Sequence, residues 1–534
     1  MSLIKERCMT DARNYDALPM NWVGDYSGKK ALLTPNLEAI FDPHTGSHYT
    51  YRQVDERANR VATWLVDHLG IAKGDRIALI SRNRMECIDL FFACGKIGAI
   101  LCPLSYRLQK PELRDLMARE MPKAIFVEDM FAALADDSVL PAPQPTVICF
   151  GDDLPAYDTI LATEARDVKV PVAMNDPFLY IHTGGTTAVP KVCIVPHRQM
   201  MWNAFEALLM SAGSAHGKEL VLFPLFHVGG WNVFFCLFMR NSVAIPLRQF
   251  DAGQILDMID QKVINRLGVV EAMLQMLKAH PKFEQTDFSG LELITTAAAP
   301  CSSESLQPFW DRGIPTNQAY GLTEAGPSNF AFLAREPGLD HIKANSRKVG
   351  TPFYCCDYKI VAEDDRNQLQ PAGKIGVLCL RSYHNFDGYL NDPERTAKVL
   401  DADGWIYTGD LAVCDEEGLV SIVGRADNMF ITGGENVSPE EIENALRSHP
   451  AVAAAICAGI PDKKWGEIPV SMVVLNPGQQ ATEADLRTHC KGLLAAYKVP
   501  KTVAIEDAIP LTPVGKLDRK ALKTYFKAKE AAFG

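Results

Sequence analysis

At 534 residues the chain is longer than one hydrophobic core usually organises, so two or more globular units are expected, and a hydrophobic fraction of 47% can supply their cores. The formal net charge is −11, without a long basic run, which argues against a nucleic-acid partner and leaves any polyanionic ligand to be met by local groups. No stretch approaches the roughly 18 apolar residues of a membrane helix, and Met1 to Arg13 carries charges of both signs in place of a secretory signal, so the reading excludes an integral membrane segment and expects a cytoplasmic location.

From Thr50 the segment Thr-Tyr-Arg-Gln forms a capping box, followed by Val54, Ala58, Val61 and Leu65 on one helical face and Gly70 as a stop. Arg76 to Ile80, a helical stretch from Glu86 to Lys96, Ala99 to Cys102, a helix from Pro111 and Ala124 to Val127 then alternate. That order predicts a mostly parallel, doubly wound sheet. A Pro-rich connector spans Leu140 to Pro145, after which strands are expected at Phe178 to His182, Glu219 to Pro224, Ser242 to Pro246 and Glu292 to Thr296. The apolar run Trp231 to Met239 reads as buried helix, and Met200, Met201, Trp202 and Phe205 as helix packing.

The fold class is therefore α/β, with large doubly wound sheets over roughly the first 340 residues. Between about 345 and 425 short β runs split by Gly and Asp suggest a small barrel, and beyond it the periods change to a helix from Ser438, strands near Ala453 and Ser471 and a helix from Thr482. We expect an N-terminal domain over 1–425 and a small α+β C-terminal domain over 426–534. The fourteen cysteines form no C-x-x-C pair, and the adjacent Cys355 and Cys356 suit neither zinc nor an ordinary disulfide, so they read as small buried hydrophobes in a reducing compartment.

The strand Phe178 to His182 runs into Thr183-Gly184-Gly185-Thr186-Thr187-Ala188-Val189-Pro190-Lys191. Glycines let backbone N–H groups approach a phosphate, three threonines add hydroxyl donors and Lys191 adds positive charge, so the loop is suited to holding an anion. It is not the G-x-x-x-x-G-K-[ST] motif, and a β-like run at Val192 rather than a helix follows it. The plainer alternative is a polar hairpin turn.

This loop resembles the phosphate loop of the adenylate-forming superfamily, which includes acyl-CoA synthetases and peptide-synthetase adenylation domains. Further motifs of that family follow in order: Pro224-Leu225-Phe226-His227, Tyr320-Gly321-Leu322-Thr323-Glu324, Tyr407-Thr408-Gly409-Asp410, Gly424-Arg425-Ala426-Asp427 and Pro513-Val514-Gly515-Lys516. The resemblance covers the chain from about Thr50 to Leu522.

It implies that Thr183, Gly184, Gly185, Thr186, Thr187 and Lys191 contact ATP phosphates and that Thr186 and Glu324 hold Mg²⁺. A hydroxyl and one carboxylate, added to phosphate oxygens and water, suit that ion. It further implies an adenine site at Ala297, Ala298, Ala299 and Tyr320, with Gln318, Gly321 and Ile422 also at the nucleotide. Asp410 and Arg425 would bind the ribose, a carboxylate being a natural acceptor for a diol, and Thr323 would touch the α-phosphate and the substrate carboxylate. Attack of a carboxylate on the α-phosphate joins two anions, and Lys516 is the cation the resemblance supplies for that step. His227 would border the acyl tunnel, the alternative being a buried structural histidine. Asp427 matches the hinge on which the C-terminal domain turns between half-reactions. Gly433, Gly434, Glu435, Asn436, Trp465, Gly466 and Glu467 would meet the pantetheine of coenzyme A, while Lys498 and Lys501 are weighed equally between CoA phosphates and solvent.

The expected activity is an acyl-CoA synthetase: ATP- and Mg²⁺-dependent conversion of a small-molecule carboxylic acid to acyl-AMP with pyrophosphate release, then transfer to CoA. A medium or long fatty chain is favoured, with an aromatic acid, or loading of a carrier protein, as alternatives. The chain ends at Gly534, soon after Lys516, which leaves no attached carrier domain to expect. Monomer and homodimer stay open. Gly184, Ala188 and Val192 depart from the commonest loop pattern, and an alanine forced to positive φ would cost roughly 1 kcal/mol. A non-catalytic nucleotide-binding protein is disfavoured because Lys516, Glu324 and Asp410 are all present, and a Rossmann oxidoreductase because the expected strands are not followed by G-x-G-x-x-G.

Overall fold

The computed structural model describes residues 15–152, 154, 156–183, 190–210, 217–297, 301–332, 338–432, 435–462, 465–494, 496–512 and 517–533. The helix expected after Thr50 spans Tyr51–Leu69. The Thr50 hydroxyl accepts from the Gln53 N–H, the Gln53 side chain accepts from the Thr50 N–H, and Gly70 closes the helix at φ 58°. Its buried stripe of Val54, Ala58, Val61 and Leu65 packs on the helix Met85–Ile97.

Two large sheets follow from the β–α alternation. One has six strands in the order Thr146–Phe150, Ala124–Glu128, Arg76–Ile80, Ile100–Pro103, Pro177–Thr183 and Lys191–Pro196. Its pairings are parallel until the last, where the strands on either side of the Thr-Gly loop form an antiparallel hairpin.

The other has nine strands and is parallel from Thr316–Tyr320 through Leu293–Thr296, Arg266–Val269, Lys218–Val221 and Val243–Pro246 to Glu38–Asp42, with antiparallel strands at both edges. Six of its nine strands carry no expectation from sequence: Glu38–Asp42, Ser47–Thr50, Arg266–Val269, Thr316–Tyr320, Phe330–Ala331 and Thr351–Pro352. Of the two in the interior of the sheet's site half, Arg266–Val269 contains a glycine and Thr316–Tyr320 is mostly polar, so neither shows an apolar run; both become strands because neighbours on each side satisfy their backbones, parallel on both sides of the first, parallel and antiparallel beside the second.

The helix Val228–Met239 joins the two layers. Trp231 is fully buried and stacks on Phe91 with centroids 4.7 Å apart and planes 12° from parallel. Phe92, Phe178, Phe234, Phe235 and Phe238, all fully buried, complete the aromatic cluster. Asn83, buried just beyond the first-sheet strand Arg76–Ile80, reaches across: Nδ2 donates to the carbonyls of Val221 and Phe223 at 2.9 and 3.1 Å, and Oδ1 accepts from the Leu225 N–H at 2.9 Å. That side chain fixes where the Pro-Leu-Phe-His segment lies relative to the other sheet.

The short β runs after 345 form a four-stranded antiparallel meander, Cys356–Val361, Gly376–Ser382, Ile406–Cys414 and Val420–Arg425, extended by a bridge from Gly350 to Val420. Farther along, Phe430–Thr432, Glu435–Val437, Val452–Asp462, Gly466–Leu475 and Thr502–Ile505 build a separate sheet, flanked by Pro439–Arg447, Glu483–Leu493 and Arg519–Phe533. Its buried residues form clusters of their own, and Ser438 ties its first helix back by donating to the Val423 carbonyl at 3.1 Å. Among the described residues no helix is long and apolar enough to cross a membrane.

Candidate active site

In the nine-stranded sheet the parallel strands Thr316–Tyr320, Leu293–Thr296 and Lys218–Val221 point the same way, so the segments after them share one edge of the sheet. Those segments hold Gly321 to Glu324, Ala297, and Pro224 to His227. The chain turns sharply after Tyr320, where a Cβ on Gly321 would come within 2.2 Å of the Pro327 carbonyl oxygen, so only glycine fits. Thr323–Ala325 then forms a single 3₁₀ turn, its first carbonyl held by the buried Gln199 amide at 2.7 Å.

The structure brings three expected nucleotide residues together. The Tyr320 hydroxyl donates to Asp410 Oδ2, and Arg425 Nη1 donates to Asp410 Oδ1 at 3.0 Å and to the Thr408 carbonyl at 3.2 Å. Asp410 and Arg425 face each other on adjacent strands. Burial, and then the Asp410 charge, push the Tyr320 phenol well above its ordinary range, so the hydroxyl stays a donor. Asp410 is itself largely buried, while the Arg425 side chain is 43% exposed and reaches solvent.

A second cluster stands at the stems of the Thr-Gly loop. Thr183 and Lys191 are paired across the hairpin, and the Lys191 ammonium is 3.5 Å from the Tyr389 hydroxyl. The same hydroxyl donates to Glu324 Oε1 at 2.6 Å. Gly184, Gly185, Thr186, Thr187 and Ala188 lie outside the described residues, as do Ala298, Ala299, Gly433, Gly434 and Lys516.

Both stems are gripped by the helix Lys110–Glu120. Arg119 Nη2 donates to the Pro190 carbonyl at 2.9 Å, and Glu120 pairs with Nε2 of His182, whose Nδ1 faces the Pro103 carbonyl at 3.2 Å. Glu120 and His182 are almost completely buried. Sequence reasoning passed over Arg119, Glu120, His182 and Tyr389. Nothing in their local sequence marks them, because each acts on a segment brought near only by folding.

The remaining expected residues are more dispersed. Gln318 is buried beside Thr296 in register, and Ala297 donates its N–H to the Val269 carbonyl at 3.3 Å. Ile422 is half-buried on the strand Val420–Arg425. His227 occupies the N-cap position of the aromatic helix, half-buried, its ring 4.6 Å from that of Phe226. Asp427 lies in the 3₁₀ turn Ala426–Asn428 that links the last meander strand to the C-terminal sheet, and Glu435 opens the strand Glu435–Val437. Trp465 is 42% exposed, and Lys498 is engaged by Glu441, with Nζ 2.6 and 2.8 Å from its two carboxylate oxygens.

Residues 29–390 match the family model for an AMP-binding enzyme, and residues 441–516 match that for the AMP-binding enzyme C-terminal domain. The chain belongs to the AMP-binding enzyme family. It is similar to a feruloyl-CoA synthase of an Amycolatopsis species, 30% identical over 94% of this chain and 99% of the relative. It is also similar to a fatty acid–[acyl-carrier-protein] ligase of Streptomyces coeruleorubidus, 32% identical over 93% of this chain and 96% of the relative. Among solved structures, the Mycobacterium tuberculosis fatty acyl CoA synthetase superposes with a TM-score of 0.76 at 28% identity, covering 96% of this chain and 100% of that one. The chain is thus an AMP-forming acid–CoA ligase of the adenylate-forming superfamily, with that superfamily's α/β fold of a large N-terminal part and a small C-terminal part.

Proposed function

We propose that this ligase activates an apolar carboxylic acid with ATP and passes the acyl group to the thiol of coenzyme A. In the first step a carboxylate oxygen attacks the α-phosphorus, the bond to the bridging oxygen breaks, and pyrophosphate leaves. In the second the CoA sulfur attacks the acyl carbon and AMP leaves.

The observation that carries the reading is that Glu324 and Lys191, from distant parts of the chain, share one phenol at the stems of the glycine–threonine loop. An ammonium and a carboxylate beside a loop of backbone donors are the groups a magnesium triphosphate requires. Glu324 fits that ion as a lone acid: no cluster of three or more His, Cys, Asp or Glu occurs among the described residues, so phosphate oxygens and water are left to complete the coordination. Bound there with Thr186, Mg²⁺ would neutralise phosphate charge. Tyr320, Asp410 and Arg425 receive the adenosine, Asp410 accepting from the ribose hydroxyls, with Ala297 to Ala299, Gln318, Gly321 and Ile422 around the base. Thr323 orients the acid against the α-phosphate, and Lys516 brings positive charge to the pentavalent centre.

The domain boundary falls at 425/426, with Asp427 as pivot, and rotation about it exchanges Lys516 for the pantetheine-facing segments at Gly433 to Glu435 and Trp465. Lys498 can meet CoA phosphates only by leaving Glu441.

A medium or long aliphatic acid is the favoured substrate, entering past His227. An aromatic acid is the second reading. It is supported by the likeness to a feruloyl-CoA synthase over 94% of the chain. Pyrophosphate release with a panel of acids varying in chain length and ring content tests the reading and ranks the two. Thioester formation with free CoA tests the acceptor against carrier-protein loading. Absence of acid-dependent pyrophosphate release across the panel would overturn adenylation itself.

A further inference from the structure

We propose that Tyr389 is a positioning residue for adenylation, its single hydroxyl locking the Glu324 carboxylate and the Lys191 ammonium into one unit that engages the triphosphate. This rests on the adenylation reading and deepens it.

A phenol has one hydrogen to give and can accept in return. Tyr389 uses both capacities: it donates to Glu324 Oε1 at 2.6 Å and faces the Lys191 Nζ donor at 3.5 Å. The ammonium also sits 5.0 Å from the ring centroid, within the range of a cation–π contact. The ring is almost fully buried, and a carboxylate oxygen can only accept, so the phenol supplies the hydrogen of the bond to Glu324.

The backbone around Tyr389 explains why this group can hold the other two. It pairs with Cys193 on the strand that leaves the loop, and Leu390 donates to the Val192 carbonyl at 2.9 Å. Phe386 donates to the Glu324 carbonyl at 2.8 Å, and the Tyr389 N–H is held by Thr396 Oγ1 at 2.9 Å. Tyr389 thus belongs to a third segment, stitched by main-chain bonds to both of the others. With Oε1 taken by the phenol, Glu324 presents its second oxygen to a ligand, and the ammonium and carboxylate cannot collapse into a direct salt bridge that would neutralise both.

Tyr389→Phe removes one oxygen and keeps the ring. We expect the KM for ATP to rise by about ten- to a hundredfold, the loss of one charged hydrogen bond, while thioester formation from preformed acyl-adenylate and CoA stays within about twofold of wild type. In thermal unfolding, the stabilisation that MgATP gives wild type should shrink in the variant to that given by ATP with EDTA. Combining it with Glu324→Asp, too short to reach the phenol, should add little to either single loss. An unchanged ATP KM and thermal shift, equal loss of both half-reactions, or additive losses in the double variant would each overturn the assignment. Thermal shift needs no acid, so a failure of adenylation chemistry and a failure of this role are distinguishable.

Discussion

Replacing Asp410 with asparagine tests the proposed nucleotide pocket at its most defined point. The carboxylate side chain is 12% exposed and accepts from the Tyr320 hydroxyl and from Arg425 at 3.0 Å. In the proposed complex it also accepts from the 2′- and 3′-hydroxyls of ATP, and each charge-assisted bond contributes about 1.5–3 kcal/mol. Asparagine keeps one acceptor oxygen for Tyr320 but loses the charge and the second acceptor. The expected loss is about 2–4 kcal/mol, or roughly thirty- to a thousandfold in ATP affinity. Calorimetric titration of wild type and variant with ATP and with 2′,3′-dideoxyATP gives a cycle between protein and ligand. Wild type should lose a comparable factor on moving to the dideoxy nucleotide, whereas Asp410→Asn, having already lost those bonds, should lose little more. If the two losses multiply, or if the variant binds ATP like wild type, Asp410 does not hold the ribose and the pocket has been misassigned.

Lys516→Ala should abolish acid-dependent ATP–pyrophosphate exchange and leave acyl transfer from preformed acyl-adenylate largely intact; equal loss of both would remove Lys516 from the first step. Arg119→Ala frees the Pro190 carbonyl at the loop's exit, so the KM for ATP should rise about three- to tenfold, with circular dichroism and the second half-reaction unchanged. Glu443 predicts a pH effect on stability. Burial, opposed by Arg519, pushes its carboxyl up from 4.5 to about 7, so the folded chain holds a proton that the unfolded chain releases. The stabilisation is complete below about pH 4.5 and is lost as pH rises through 7. Relative to Glu443→Gln, wild type should therefore lose on the order of 3 kcal/mol across that window in urea unfolding, and parallel stability profiles would refute the assignment.

Local rules were enough wherever a residue's neighbours in space are also its neighbours in sequence. Thr50 caps its own helix through Gln53, Thr482 does the same through Asp485, and the alternation of apolar runs with amphipathic helices already specifies a parallel sheet. The signal weakens where burial comes from the assembled layers. Thr316–Tyr320 reads as polar until its neighbours in the sheet are known, although it delivers Tyr320 to the site.

The same distinction separates the two halves of the candidate site. Thr183, Lys191, Glu324, Asp410 and Arg425 sit in motifs dense in glycine, hydroxyl and charge, and the resemblance of those motifs, in their order, to the adenylate-forming superfamily singles them out. Arg119, Glu120, Asn83 and Tyr389 do not, because an arginine on a helix, a tyrosine in a loop or an asparagine after a strand has an ordinary meaning until its partner is known. Their partners are main-chain carbonyls of other sheets or side chains far along the chain, as with Asn83 on Val221 and Phe223, or Tyr389 on Glu324. A carbonyl carries no residue identity, so no motif can announce that it is being held. The residues proposed to meet a ligand are therefore legible through the motifs that carry the family resemblance, whereas groups that hold those in place become legible only once the fold has chosen their partners.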